Sequence, residues 1–374
     1  MTDAPYHAEI CNGPASGYAL WREASDGVRL RIGLWPLDGA TDTVLIYTGR
    51  TEYIEKYAHV AADLQAAGYA VATIDWRGQG LSDRLIDEPL RGHVNNFQDY
   101  QKDVQTLIDT VVQQGMPPAK ALLGHSMGGC IALRSVIDGL PVKGALFSAP
   151  MWGILMSPAL RPAAWVLSHA ADLFGVGSTL APGTNGRSFI LNEPFQDNTL
   201  TRDPEMWKLM GDQILAVPEL ELGGPSLHWL REALLECNAI MNAPAPKLPN
   251  LTFLGDNERH LDPSEFKDDL IHYLVITWRI QKNRQNGQKV TFGDDPKNPR
   301  YSATHSSLCI YNCSIRLGMQ AHKPMGVFKD KHNKVKFITN TMVNKFLRNA
   351  ARITLHLPPG HAELNLWSTH SIWF

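Results

Sequence analysis

Ser126 stands at the centre of the pentapeptide Gly124-His125-Ser126-Met127-Gly128, which follows the pattern Gly-x-Ser-x-Gly. A serine hydroxyl becomes a nucleophile when a neighbouring base removes its proton. The pattern is typical of a sharp strand-to-helix turn that exposes such a hydroxyl. An apolar run precedes the pentapeptide and a small-residue helical pattern follows it. These flanks favour a nucleophile over the alternative, a structural glycine-rich turn.

Alternating apolar strands and amphipathic helices surround this turn. A helix repeats its apolar side chains every three to four residues, whereas a buried strand is a short apolar run bounded by turn residues. The predicted strands are 18–24, 28–35, 43–47, 69–75, 121–125 and 143–148, and the predicted helices are 52–67, 96–114 and 127–137. Such alternation predicts an α/β domain with a mostly parallel sheet and helices on both faces.

The alternation stops at residues 151–247, which are rich in Trp, Met, Leu and Pro. Helical spacing is present at 159–174, 203–216 and 226–241, and the strand 251–254 resumes the sheet. An insertion between two sheet strands can form a lid that shields a site and shapes its pocket. The first apolar residues of the insertion are therefore candidates to line the substrate pocket: Met151, Trp152 and Ile154. The alternative is that they pack in the core.

Composition limits the class of protein. The chain has 374 residues, 44% hydrophobic and 19% charged, which suits one large α/β domain with an insertion or two modest domains. No apolar run predicts a membrane-spanning helix, and the N-terminus lacks the features of a secretory signal. The five scattered cysteines indicate reduced thiols and a cytoplasmic protein. The spacing Cys309-x3-Cys313 lacks a second ligand pair, so no metal and no cofactor are expected.

Charge is distributed unevenly along the chain. Residues 1–266 carry 19 Lys and Arg against 31 Asp and Glu, a balance of −12, whereas residues 267–374 carry 16 against 6, a balance of +10. The simplest interpretation is a solvated basic appendage. Nucleic-acid binding is not expected, because no recognition motif accompanies the basic residues.

Five motifs in one order resemble the lidded α/β-hydrolases, specifically the lysophospholipase and monoacylglycerol-lipase-like branch grouped with the serine aminopeptidases. These motifs are GRTEYIEKY at 49–57, DWRGQGLS at 75–82, GHSMGG at 124–129, SAPMWG at 148–153 and FLGDNER at 253–259. The resemblance covers roughly residues 15–266. It implies an α/β-hydrolase fold with a helical lid, and a serine esterase that hydrolyses monoacyl lipids without a cofactor.

The resemblance also implies the remaining catalytic groups. Backbone N–H groups of Met127, after the nucleophile, and of Arg50, after the third strand, would form the oxyanion hole. The Arg50 side chain could reach a phosphate or carboxylate of the substrate, or pair with Glu52 or Glu55. The catalytic acid would fall three residues after the glycine that ends strand 251–254, which is Glu258.

Two further carboxylates, Asp262 and Asp256, stay open as alternatives to Glu258. The catalytic histidine must follow the acid in the chain. The family has a Gly-x-x-His-Glu pattern about thirty residues later, which this chain lacks at that distance. The best match is His361, after the strand-like segment 352–357, and His305 is the second choice.

Other histidines fit the role of base less well. His260 and His272 lie too close to the acid in sequence, and His125 is expected to pack beside the elbow. With His361 as base, residues 267–345 form an atypical basic insertion, and residues 346–374 supply the last strand, the histidine loop and a short helix. Without it, residues 267–374 are an aberrant tail and the protein is a catalytically impaired member of the fold.

The predicted organisation has a hydrolase core at 1–150, a lid at 151–247, and a core strand with the acid loop at 248–266. The predicted partner is a small lipid-like ester, with peripheral membrane contact through the lid. The predicted location is cytoplasmic, at the inner membrane where the lid touches lipid. A peptidase or thioesterase of the same fold is the other alternative, because these enzymes use the same triad.

Overall fold

A computed structural model describes residues 2–154, 160–196, 198–201 and 203–255, together with the strands 274–278 and 314–317. Within these residues the chain forms a ten-stranded sheet in the order β1-β2-β3-β5-β4-β6-β7-β8-β9-β10. The strands are β1 (Thr2–Ala4), β2 (Tyr18–Glu23), β3 (Arg29–Trp35), β4 (Thr43–Tyr47), β5 (Ala70–Asp75), β6 (Ala119–His125), β7 (Gly144–Ser148), β8 (Asn250–Gly255), β9 (Leu274–Trp278) and β10 (Ser314–Leu317).

The centre of the sheet is parallel. Strands β5, β4, β6, β7, β8 and β9 pair in parallel, while β1, β2 and β3 at one edge and β10 at the other pair antiparallel. The parallel strands all end at one edge, and loops at such an edge carry the site in open α/β sheets. The sheet predicted from the sequence agrees with this arrangement, but strands β1, β9 and β10 were not predicted.

Helices cover both faces of the sheet. The described helices are α1 (Ala58–Ala66), α2 (Tyr100–Gln113), α3 (Met127–Ile137), α4 (Leu160–Leu173), α5 (Phe189–Asn192), α6 (Pro204–Ala216) and α7 (Leu227–Asn242). Short 3-10 turns occur at Ala8–Ile10, Ile54–Tyr57, Phe97–Asp99 and Pro218–Leu220. The first predicted helix therefore begins as a 3-10 turn and becomes α1.

Two apolar clusters flank the sheet. Leu45 and Tyr47 of β4 pack into one cluster, together with residues of α2, α3 and α7, whereas Val44 and Ile46 pack into the other with residues of α1. This division follows from the strand geometry, because successive side chains point to opposite faces. The central strands are consequently buried on both sides and hold their carboxyl ends rigidly.

The insertion leaves the sheet after β7 and returns at β8. Its helices α4, α6 and α7 agree with the three predicted segments to within two residues. Helix α6 begins where the sequence provides a cap, since Asp203 accepts a hydrogen bond from the N–H of Glu205 (2.8 Å) and Pro204 follows it. Helix α7 packs on α3 and is joined to it by the Arg134–Glu236 ion pair (2.6 Å).

A buried ionic cluster lies beneath the carboxyl edge of the sheet. Arg31 on β3 donates from Nε to Asp75 (2.7 Å) and from both Nη atoms to Glu55 (2.8 Å each). Asp75 also accepts the backbone N–H groups of Ile54 (2.9 Å) and Leu81 (2.7 Å). One carboxylate therefore fixes both the loop after β4 and the turn after β5.

Candidate active site

Ser126 occupies a strained position between β6 and α3. Its φ of 50° and ψ of −119° fall in a region that residues other than glycine rarely adopt. The backbone around it is fixed, because its N–H donates to the carbonyl of Ser148 (3.0 Å) and its own carbonyl accepts from Gly129 (2.9 Å) and Met151 (2.8 Å). The turn therefore has the geometry of a nucleophile elbow, as the sequence predicted.

The glycines of the elbow permit close packing. A Cβ built at Gly128 would lie 2.1 Å from the carbonyl oxygen of Tyr47, and one built at Gly129 would lie 2.5 Å from the Cβ of Pro150. Neither neighbour can move freely, because the first is strand backbone and the second is a ring carbon. Any larger residue at these positions would push the serine out of place.

The loop after β4 lies against the serine. A Cβ built at Gly49 would be 3.2 Å from the Cβ of Ser126, and the next residues are Arg50 and Thr51, the latter with a φ of 63°. In the described part of the chain, the backbone N–H groups of Arg50 and Met127 donate to no acceptor. Met127 is the first residue of α3, where an N–H has no partner within the helix. Both predicted oxyanion donors are therefore open.

Residues 49–52 form the oxyanion loop, named for the predicted donor Arg50, and Glu52 connects this loop to its surroundings. Its carboxylate accepts hydrogen bonds from the N–H of Gly49, the hydroxyl of Tyr57 (2.6 Å) and the ammonium of Lys56, and lies 3.6 Å from Nε2 of His125. Burial alone would raise the pKa of Glu52, but the charges of Lys56 and His125 and these hydrogen bonds lower it to about 2. Glu52 is consequently an anion at neutral pH.

His125 is held beside the elbow. Its Nδ1 lies 3.0 Å from both the carbonyl and the hydroxyl oxygen of Ser148, and its Nε2 faces Glu52. These contacts place the ring in the wall of the site, in the packing role that the sequence analysis expected.

The side chain of Arg50 pairs with neither Glu52 nor Glu55. Its Nη2 donates to the carbonyl of Gly223, and its guanidinium lies 5.4 Å from the ring centre of Trp229, both in the insertion. Burial lowers the pKa of Arg50 to about 10, so it stays a cation at neutral pH. Among the described residues no carboxylate pairs with it, and its buried Nε has no hydrogen-bond partner.

A cleft opens at Ser126 between the sheet and the insertion. Its lining contains both polar and apolar residues. The polar ones are Arg50, Thr51, Glu52, Lys56, His125, Ser126, Ser188 and Thr201, and the others are Tyr53, Ile190, Leu200, Met206, Met210 and Ile214. The sequence did not predict these apolar lining residues, because they are spread over the loop after β4, helices α5 and α6 and the segment between those helices.

Met151 and Trp152 lie in the core below the elbow. Both are buried in the cluster that includes α3 and α7, and Ile154 packs against that cluster. The indole of Trp152 donates to the carbonyl of Gly129 (3.2 Å). None of the three is among the residues that line the cleft at Ser126.

The predicted acid and base lie outside the described residues. This holds for Glu258, Asp256 and Asp262 and for His361, His305, His260 and His272. Strand β8, which precedes the predicted acid, ends at Gly255 on the same edge of the sheet as Ser126. The strand beside β8 is β9, within the segment predicted as an atypical insertion, and residues 352–357 are outside the described ranges.

Comparison with known proteins assigns the family. A family model described as "Serine aminopeptidase, S33" matches residues 39–272. The chain belongs to this family. The family is one of serine hydrolases, and the α/β-hydrolase fold predicted from the sequence is thereby confirmed.

Two proteins that are similar to this chain in sequence are named as lysophospholipases. The chain is 35% identical over 221 residues to "Lysophospholipase L2" of Escherichia coli K12, which is 59% of this chain and 64% of that protein. The chain thus spans slightly less than two thirds of the relative's length. It is 28% identical over 232 residues to "Probable lysophospholipase L2" of Haemophilus influenzae, 61% of this chain and 71% of that protein.

A solved structure has the same fold. A soluble variant of monoglyceride lipase from Saccharomyces cerevisiae matches 70% of this chain and 83% of its own, with a TM-score of 0.51 and 19% identity.

In the described part of the chain, no three His, Cys, Asp or Glu side chains are grouped to hold a metal ion. Within the same ranges, no helix has the length and hydropathy to cross a bilayer.

We predict that Gly128→Ala destabilises the fold by about 3 kcal/mol, because the new methyl group would overlap the carbonyl of Tyr47 and force the backbone to move. Urea unfolding at neutral pH measures the change. Gly186→Ala is the matched control: an added Cβ there meets nothing within 4 Å, so its effect should stay within about 0.5 kcal/mol. Equal stability of the two variants would contradict the packing argument.

We predict a pH-dependent loss of stability in Glu52→Gln. The folded pKa of about 2 lies below the ordinary value of 4.5, so the ionised group stabilises the fold fully above about pH 4.5 and loses this effect as the pH falls towards 2. The variant should be on the order of 3 kcal/mol less stable at pH 7, with a gap that shrinks below pH 4.5. Urea unfolding between pH 3 and 7 tests this expectation.

Glu88→Gln serves as the control for this titration, because Glu88 is exposed and only loosely paired with Arg91 (3.5 Å). Its effect should be below about 1 kcal/mol at every pH. If the difference in free energy of unfolding between wild type and Glu52→Gln grew as the pH fell, Glu52 would not have the assigned charge state.

Proposed function

We propose that the chain is a serine carboxylic-ester hydrolase that acts on monoacyl lipids through an acyl-enzyme. The observation that carries this proposal is the position of Ser126, which sits on a strained elbow beside two open backbone N–H groups. Oriented donors of this kind stabilise the oxyanion of acyl transfer, and losing one typically costs about 2.7–4 kcal/mol in the transition state.

In the proposed reaction the Ser126 oxygen attacks the ester carbonyl and its proton passes to an imidazole. The oxyanion is held by the N–H groups of Arg50 and Met127, and the imidazole returns the proton to the departing alcohol. Water then attacks the acyl-enzyme in the same way. We assign the base to His361 and the acid to Glu258. Glu258 follows β8, which pairs with β7, and β7 in turn pairs with β6, the strand that leads to Ser126.

The mixed lining of the cleft supports a lipid substrate. Apolar side chains of α5 and α6 suit an acyl chain, and the polar lining residues suit an ester with a small head group. The names of the relatives, lysophospholipase and monoglyceride lipase, agree with such a substrate. An aminopeptidase needs a carboxylate for the substrate's ammonium group. The one carboxylate that lines the described cleft, Glu52, is already bound by Lys56.

The surface of the insertion supports the predicted peripheral membrane contact. Near the end of α4, Leu173 and Phe174 are 82% and 76% exposed, and Val166 on the same helix is 70% exposed. Exposed apolar side chains clustered in this way are typical of surfaces that meet lipid or protein. Membrane contact and a cytoplasmic location stay predictions.

Labelling by a fluorophosphonate probe tests the nucleophile. We expect the wild type to be labelled and Ser126→Ala to be unlabelled, while Ser188→Ala, which alters another serine of the same cleft, keeps wild-type labelling.

His361→Ala should slow turnover by at least about 10⁴-fold and His305→Ala should not. p-Nitrophenyl esters should be hydrolysed and aminoacyl p-nitroanilides should not.

The outcomes separate the alternatives. Slow turnover in His305→Ala alone would move the base to that residue. Preferential cleavage of aminoacyl substrates would favour a peptidase. Folded wild-type protein that neither reacts with the probe nor hydrolyses esters would reject catalysis and leave a binding protein of this fold.

We further propose that the head group is anionic, because Arg50 is among the residues that line the cleft and its guanidinium, which donates to the carbonyl of Gly223, has no carboxylate partner among the described residues. Wild type should prefer 1-acylglycerol 3-phosphate to the uncharged 1-acylglycerol with the same chain. Arg50→Gln should lower kcat/KM for the phosphate ester by about 10–100-fold, the value of a charged hydrogen bond, and change the neutral ester less than about threefold.

Arg187→Gln is the control for the head-group assignment. Arg187 is a cation of the insertion that pairs with Glu221 (2.7 Å) and does not line the cleft. It should leave both rates unchanged. An equal loss for both substrates in Arg50→Gln would show that the side chain only supports the loop.

A further inference from the structure

Gln79 lies in the turn after β5 and makes contacts that the reaction scheme above does not use. It is 2% exposed, and its Nε2 donates to the carbonyl of Gly49 (2.8 Å) and to the carbonyl of Glu52 (3.1 Å). Because both neighbours are acceptors, the atom that faces them must be the amide nitrogen. One side chain therefore binds both ends of the oxyanion loop.

The contact with Gly49 fixes the direction of an oxyanion donor. The carbonyl of Gly49 and the N–H of Arg50 belong to one peptide unit, and in a trans peptide they point in opposite directions. A carbonyl held towards Gln79 keeps the Arg50 N–H turned away from Gln79. That N–H has no acceptor in the described ranges, so no hydrogen bond of its own orients it there.

Gln79 is itself held rigidly. Gly78 and Gly80 on either side have positive φ values of 82° and 56°. A Cβ at Gly78 would lie 2.5 Å from the carbonyl oxygen of His93, and one at Gly80 would lie 2.1 Å from Cγ of Asp75. Both glycines are therefore required by conformation and by space. The turn therefore holds the side-chain amide of Gln79 in a fixed position.

We propose that Gln79 is a positioning residue that keeps the Gly49–Arg50 peptide in the orientation needed for the oxyanion hole. This inference rests on the proposed acyl-transfer function. Without the amide, two buried carbonyls lose their donor, and rotation of the peptide would turn a carbonyl oxygen towards the developing negative charge. Transition-state stabilisation would fall while the ground-state contacts of the substrate stay in place.

Gln79→Glu tests the proposal, because glutamate has the same shape but lacks the amide donor: ionised it repels both carbonyls, and protonated it can donate to only one of them. We expect kcat for a p-nitrophenyl ester to fall by about 10²–10³-fold with KM changed less than about threefold. Crystal structures of wild type and variant should show the Gly49–Arg50 peptide rotated in the variant. Gln79→Met, uncharged and without donors, should behave alike and replaces the glutamate variant if that variant does not fold.

Gln101→Glu is the matched control, since Gln101 is a partly buried glutamine whose hydrogen bonds in the described chain join it to Ile131 (3.2 Å) and Ser135 (2.7 Å) of helix α3 and not to the oxyanion loop. It should keep wild-type kcat. An unrotated peptide in the Gln79 variants, an unchanged kcat, or an equal loss in Gln101→Glu would overturn the proposal. If the wild type itself neither hydrolyses esters nor reacts with a fluorophosphonate, the proposed function fails, and the peptide orientation in the crystal structures still decides the role of Gln79.

Discussion

The guanidinium of Arg31, fully buried between Asp75 and Glu55, is the interaction on which the site geometry depends. A buried cation is costly unless its hydrogen bonds are satisfied by well-placed anions. Burial alone would lower the pKa of Arg31, but the two carboxylates outweigh it and raise that pKa. The cluster also has a structural effect, since Asp75 accepts N–H groups from both the loop after β4 and the turn after β5. A pair of apolar residues in place of these ions would have no means of holding both loops.

Strained backbone conformations at the carboxyl edge of the sheet are consistent with loops that this ionic cluster holds in place. Among the described residues, three other than glycine have positive φ, namely Thr51, Ser126 and Ala149. They belong to the oxyanion loop, the elbow and the end of β7, which all meet at the carboxyl edge of the sheet. Each such conformation costs on the order of 1–3 kcal/mol and persists only where the surroundings impose it. The ionic cluster, Glu52 and the close-packed glycines impose it, so the donors are oriented before a substrate arrives.

Much of this arrangement could be predicted from the sequence, because it depends on local signals. The elbow follows from glycine spacing around Ser126, and α4, α6 and α7 follow from helical periodicity. Strand β9 was missed because a five-residue apolar run cannot be distinguished from a helical segment by its period. The roles of Gln79 and Glu52 were missed for another reason. They act through backbone groups of a loop, and a contact such as that from Gln79 to Gly49 leaves no periodic pattern. Trp152 illustrates a third limit, since an apolar residue after β7 can line a pocket or fill a core.

The described residues contain one half of the proposed catalytic site, the nucleophile and the oxyanion hole, within β4 to α3. The contacts of Asp75, Glu52 and Gln79 that hold this half are made among residues 31–151, while the Arg50 side chain is bound by Gly223 of the insertion. The proposed acid and base come from the chain beyond Gly255, where the charge balance reverses. The two halves contribute differently to catalysis. An oxyanion hole together with substrate binding retains roughly 10³–10⁴-fold acceleration over water when the triad is broken. In the proposed reaction the identity of the base therefore controls the rate of ester cleavage, while the cleft formed by the oxyanion loop and the insertion controls which ester enters.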